Sequence, residues 1–303
     1  MTNSGRTPGD VAEVRFKNIA EALRELPVAI VNRIERERWG NLQGLHAGLP
    51  TLLTHTIRVA AATWDAIEVL VLTKRHGELL PSRLAVAVPP LERTLLDSLM
   101  AIVFILEDPA DRTDWYYRSG WREMSQAHAF FVQEIGSRPE WAPFLAEHRA
   151  WIDSHNAEYG ITADELADPK KATMRWQQQG HFWPNPGKMK KLARGSTADF
   201  LSLLNAWFYG QLSGDSHLSY MGLVRRGGVL RDQHDGPTRD QYRSSMTLSA
   251  IVIYLALLSE IIATASLPAE AKRALAVWEE VQVTFSGDLL STKRYRTLLM
   301  GVQ

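Results

Sequence analysis

An all-α fold is what this sequence predicts: an irregular multi-helix bundle forming one domain over residues 1–303, with a long irregular excursion at about 168–195. Three observations predict it. Apolar residues recur mostly at three- and four-residue intervals, strand-type alternation is weak throughout, and helix-start chemistry appears repeatedly.

Those starts order the elements. Asp108-Pro109 offers an N-cap followed by proline at the first helical position, with Asp111 in the first turn. Ser137 with Glu140, and Thr162 with Glu165, have capping-box spacing, and Ser196 with Asp199 is a similar start. Helices are expected at roughly 9–38, 48–77, 82–106, 109–135, 138–158, 197–223, 238–266 and 268–286, with Pro89-Pro90 kinking or splitting the third. Residues 1–8 read as a disordered tail without the apolar core of a signal peptide.

Composition bounds the chemistry. Hydrophobic residues at 45% support a real core, and Lys+Arg and Asp+Glu both count 34, so no global field draws the chain to nucleic acid or lipid. The absence of cysteine excludes disulfides, thiolate catalysis and cysteine-ligated metals, and fits a cytoplasmic protein. Leu248–Leu267 approaches membrane-span length but carries Ser249, Ser259 and Glu260. A charge in mid-span costs a few kcal/mol in lipid, so a buried core helix is expected and no membrane partner.

Two polar clusters interrupt apolar helices. Arg93 and Asp97 are four apart on the face that also carries Met100 and Phe104, while Leu95, Leu99, Ile102 and Leu106 line the opposite one. Such a pair sits between helices, either setting their register or serving a ligand. Tyr209, Ser213 and His217 fall at successive four-residue steps, which a continuing helix would stack on one face, and Gly210 and Gly214 leave room for close approach. His217 is then either a proton donor and acceptor or a histidine held at a helix crossing.

The order of these features resembles a bacterial helical family of unassigned function that is distantly HEPN-like, the HEPN group being helical nucleases and nucleotide-binding proteins. The match runs over roughly residues 82–223: Arg-x3-acid on an apolar helix, a proline-started helix with tyrosines (Pro109, Tyr116, Tyr117), a lysine-bearing segment, then Tyr-x3-Ser-x3-His. The resemblance implies that Arg93, Asp97, Tyr209, Ser213 and His217 form the site, with Asp97 one methylene shorter than the family's glutamate. It imports no reaction. The nuclease motif of the HEPN group, arginine then histidine four to six residues on, occurs as Arg122…His128, Arg149…His155 and Arg175…His181. Chance alone supplies about two such matches. Arg149 and His155, with Asp153 between them, are the best placed.

From Lys170 to Arg194 the chain carries Lys170, Lys171, Arg175, Lys188, Lys190, Lys191 and Arg194 with no acid, interleaved with Trp176, Phe182 and Trp183. Cations hold phosphates and rings stack bases, so Lys188, Lys190, Lys191, Arg194, Trp176 and Trp183 are candidate contacts for a nucleotide or RNA. The plainer reading is a solvated basic loop pinned by its aromatics. Arg225-Arg226-Gly227-Gly228 is a weaker phosphate candidate. No Gly-rich phosphate loop, Gly-x-Ser-x-Gly, His-Glu-x-x-His or Glu-x-x-His is present, and His234-Asp235 precedes Gly236-Pro237 in an apparent loop. No cofactor or metal is expected. Two functions stay open: a pocket for a phosphate-bearing ligand, or a non-catalytic helical interaction protein, such as a homodimer or a defence or toxin–antitoxin component, whose polar clusters are structural.

Overall fold

The computed structural model describes residues 8–36, 40–72, 74–75, 78–79, 86–209, 212, 237–285 and 290–302. In chain order they form α1 (Pro8–Arg36), α2 (Gly40–Gln43), α3 (Leu49–Leu72), strands β1 (Lys74–Arg75) and β2 (Glu78–Leu79), α4 (Val88–Glu107) and α5 (Pro109–Ile135). A 3-10 turn at Pro139–Trp141 leads into α6 (Ala142–Asn156), α7 (Ala163–Ala167), α8 (Pro169–Gln178), α9 (Pro186–Leu192) and α10 (Gly195–Leu204). A π turn at Asn205–Tyr209 follows, then α11 (Pro237–Thr264), α12 (Pro268–Phe285) and α13 (Leu290–Met300). The fold is all-α as the periodicity predicts; the strands are two residues each, Lys74 opposite Leu79 and Arg75 opposite Glu78.

The long helices begin and end close to their expected bounds, with instructive exceptions. α3 stops at Leu72, before Lys74–Arg75, where the apolar spacing ends. Pro89 and Pro90 do not kink α4: they sit in its first turn, where a missing N–H costs no helical bond. Asp108 precedes α5 without a side-chain cap, and neither Ser137 nor Ser196 caps a helix, since Arg138 and Arg194 hold those positions. Thr162 and Glu165 do form the reciprocal capping box at α7.

The excursion at 168–195 is not irregular. Asp168 accepts a hydrogen bond from the Lys170 N–H at 3.1 Å and starts α8 on Pro169. Asn185 Oδ1 likewise accepts from the Lys188 N–H at 3.0 Å and starts α9 on Pro186. Both prolines occupy the helix-opening position. α13 was not anticipated at all.

Where the sequence suggests one domain, the residues divide into two compact units: 1–107 with 189–303, and Asp108–Lys188 inserted between those two parts. In the first, α11 is the axis, packed by α3, α4, α12 and α13 and touched by α1. Every residue from Ala250 to Ile262 is buried. Among the described residues, Ser244–Thr264 is the one helix long and apolar enough to cross a membrane, and 78% of that window is buried inside the protein, as expected for a core helix. In the second unit, Trp121 of α5, Ile152 of α6, Tyr159, and Ala172 and Trp176 of α8 make a small core, with Trp121 and Trp176 edge to face at 5.7 Å. Glu165 holds α8 by accepting from Arg175 Nε at 2.6 Å and Nη2 at 3.0 Å.

Candidate functional site

Within the first unit the structure brings together three of the five residues that the sequence singled out. Arg93 and Asp97 lie one turn apart on α4, and Arg93 Nε sits 2.9 Å from each carboxylate oxygen of Asp97. The Tyr209 ring closes over the guanidinium, with 3.6 Å between Arg93 Cζ and the ring centroid, a close cation–π contact. The Arg93 side chain is 15% exposed and that of Asp97 49%, so the pair lies at the edge of the core with its acid toward water. Arg93 Nη1 is buried and has no hydrogen-bond partner among the described residues. Tyr209 ends the π turn, a feature that recurs at functional sites because it shifts helical register by one residue. The four-residue steps to Ser213 and His217 assumed an unbroken α-helix; both positions lie outside the described residues, as do Arg225, Arg226, His234 and Asp235.

Sequence reasoning passed over the residue beside this pair. Glu92 is completely buried, at 0% exposure, in an otherwise apolar stretch of α4. An acid inside an apolar helix was the available signal. A second buried network was missed because its parts are far apart in sequence. Glu260 of α11 accepts through Oε1 from Arg294 Nη2 at 2.8 Å, Arg294 Nε at 3.2 Å and the Tyr295 hydroxyl at 3.1 Å. Burial works against the Arg294 charge, but Glu260 more than offsets it, so the guanidinium is held above its ordinary value. Burial pushes the Tyr295 hydroxyl up, and the Glu260 carboxylate adds to this. Beside them the Trp278 indole donates to Ser259 Oγ at 3.1 Å. These contacts fix α11, α12 and α13 to one another.

The basic, aromatic segment is rebuilt by its helices. Trp176 is a core residue, 2% exposed, and not a ring available to a ligand; its one-turn spacing from Ala172 on α8 turns it inward against Trp121. Trp183 is half-buried and meets Tyr116 edge to face at 5.0 Å. Lys188 and Lys191 are exposed on α9 and Lys190 is half-buried there. The backbone N–H of Arg194 donates to Glu107 Oε1 at 2.6 Å while its side chain is exposed. Lys188 belongs to the second unit and the other three to the first.

The nuclease-type pairs are engaged locally. Arg149 Nε lies 3.0 Å from both oxygens of Asp153, and His155 Nδ1 lies 2.8 Å from the Trp151 carbonyl. Arg175 is bound to Glu165. His128 of α5 faces His148 of α6, ring centroids 6.3 Å apart. Burial, followed by Arg149 and His148, lowers the His128 pKa, against a smaller opposing effect of Asp153. Burial also raises the Glu165 carboxyl, but hydrogen bonds from Arg175 and Thr162 outweigh it and hold that group low. Both groups therefore bind protons better in the unfolded chain, and both contribute stability at neutral pH that acid removes. For His128 the loss starts as pH falls below about 6.5, and for Glu165 below about 4.5. Melting of the second unit followed from pH 7.5 to 4 is expected to fall in two stages. His128→Gln should remove the upper stage and Glu165→Gln the lower; a wild-type curve flat to pH 5 would contradict this.

What the site can do chemically is hold an anion by a guanidinium whose one face is covered and whose Nε is occupied. Among the described residues, no group of three or more His, Asp or Glu side chains is arranged to hold a metal. The chain matches no family model, no curated protein and no solved structure.

Proposed function

We propose that this protein binds a phosphate-bearing ligand, a nucleotide or RNA, with Arg93 as the seat of the anion. The observation that supports the reading is the buried, unpartnered Arg93 Nη1. A guanidinium has five N–H donors, and Asp97 takes only the one on Nε. A buried donor left unmade costs about 1–3 kcal/mol, which a phosphate or carbonyl oxygen would recover. In this reading Asp97 orients Arg93, Tyr209 holds its plane, His217 exchanges a proton with the ligand and Ser213 positions the imidazole. The cysteine-free composition suits the cytoplasm, where such ligands abound.

Titration with AMP, ATP and a short single-stranded RNA tests it. Arg93→Met keeps the packing stem and removes the donors, so it should weaken binding about 10–100-fold, the equivalent of one charged hydrogen bond, with little change in melting temperature. If the three residues were only a packing device, Arg93→Met would lower the melting temperature and leave any binding intact.

A further inference from the structure

A second site stands in the other unit, on residues that no motif singled out together. Trp115, Arg118 and Arg122 share one face of α5, at spacings of three and four. The two arginine side chains are only 21% and 20% exposed. Like charges one turn apart and half out of water repel, so each needs compensation. Neighbouring acids supply little of it. Arg118 Nη2 reaches Asp114 at 3.5 Å, and Arg122 Nη2 reaches Glu123 at 3.3 Å and Ser119 Oγ at 3.4 Å. Arg175 and Arg149 of the same unit are held closer to their acids, at 2.6 Å and 3.0 Å. Arg118 Nε and Arg122 Nε are both buried without a hydrogen-bond partner among the described residues.

Rings from the stretch between α8 and α9 lie against this face. Arg122 Cζ sits 5.2 Å from the Phe182 ring centroid. His181 Nδ1 is 3.4 Å from Arg118 Nη1. Arginine can only donate, so in this contact the ring nitrogen is the acceptor. The exposed His181 ring stacks on Trp115 at 6.2 Å and 27°. Two under-compensated guanidiniums therefore border a stacked pair of flat rings, of which the His181 ring is exposed.

We infer that the Arg118–Arg122 face of α5 binds a phosphate attached to a planar base, the phosphate between the two guanidiniums and the base against His181. This chemistry has two sources, a free mononucleotide or a single-stranded RNA, and the inference is independent of whether Arg93 takes a ligand. Guanidiniums rather than lysines suit the role, because their fork matches two phosphate oxygens at once.

The test uses the full chain, with AMP, inorganic phosphate and an oligoadenylate as probes, read by tryptophan fluorescence and by calorimetry. The double variant Arg118→Gln/Arg122→Gln should lose at least tenfold in affinity for AMP or for the oligoadenylate, whichever the wild type binds. The same titrations are made in the Arg93→Met background, where a ligand held at Arg93 no longer masks the loss. Arg118→Lys/Arg122→Lys keeps the charge and fold, and should still lose most of the affinity. AMP binding would identify the mononucleotide as the source, and binding of the oligoadenylate alone would identify RNA. Failure of both probes to bind, or binding that survives the Gln and the Lys variants, overturns the inference. So does inorganic phosphate binding as tightly as AMP, since the rings would then contribute nothing.

Discussion

Arg294→Ala is expected to cost the first unit about 3–5 kcal/mol, the usual result of removing one partner from a buried ion pair. Glu260 lies on the helix that every neighbour packs against, and Arg294 supplies two of the three hydrogen bonds to its Oε1. Without Arg294 the carboxylate keeps, among the described residues, only the Tyr295 hydroxyl in a site nearly closed to water. The guanidinium also covers the Phe200 ring at 4.5 Å, so its loss opens a gap as well as stranding a charge. The double variant Glu260→Leu/Arg294→Met should recover much of the loss, because exchanging both charges for apolar bulk is often close to neutral. Urea denaturation of the single and double variants makes the comparison. A single variant within 1 kcal/mol of wild type would mean that water already solvates the pair.

Trp121→Ala should be comparably damaging to the second unit, about 3–5 kcal/mol, the range for truncating a buried aromatic residue. Trp121 is fully buried in a core of few side chains, and its loss removes the edge-to-face contact with Trp176. It also removes the donor at 3.0 Å from Asn156 Oδ1, the residue that ties the end of α6 to Asp153. Trp121→Phe keeps part of the volume and none of the hydrogen bond, so an intermediate cost is expected. Because the chain has two units, a single melting temperature is a poor reporter. Amide hydrogen exchange in α5, α6 and α8 should accelerate strongly in Trp121→Ala, and unchanged protection there would contradict the assignment of this core.

The long helices were legible because their signal is local. A stripe such as Leu95, Leu99 and Ile102 declares itself within a few turns, and so does the i, i+4 pair of Arg93 and Asp97. α8 and α9 escaped because lysine, glutamine, glycine and proline blur the apolar period, even though Asp168-Pro169 and Asn185-Pro186 carried the same start signal recognised at Asp108-Pro109. Long-range partners were out of reach for a different reason. No periodicity relates Glu260 to Arg294, 34 residues on, or Arg118 to His181, 63 residues on. Only the packing of helices against one another selects them. The sequence thus placed the ring of Tyr209 and the charge of Arg93 in one site, but gave no sign that His181 and Phe182 meet the arginines of α5.

One hydrogen bond of the first unit spans the point where the chain is interrupted by the second. Glu107 closes α4, the last element before the insertion, and its carboxylate clasps the backbone of Arg194, just ahead of α10. The polypeptide thus departs and returns at a fastened gate, and everything between is a closed detour as seen from the host. Closing a detour costs entropy that rises only slowly with its length.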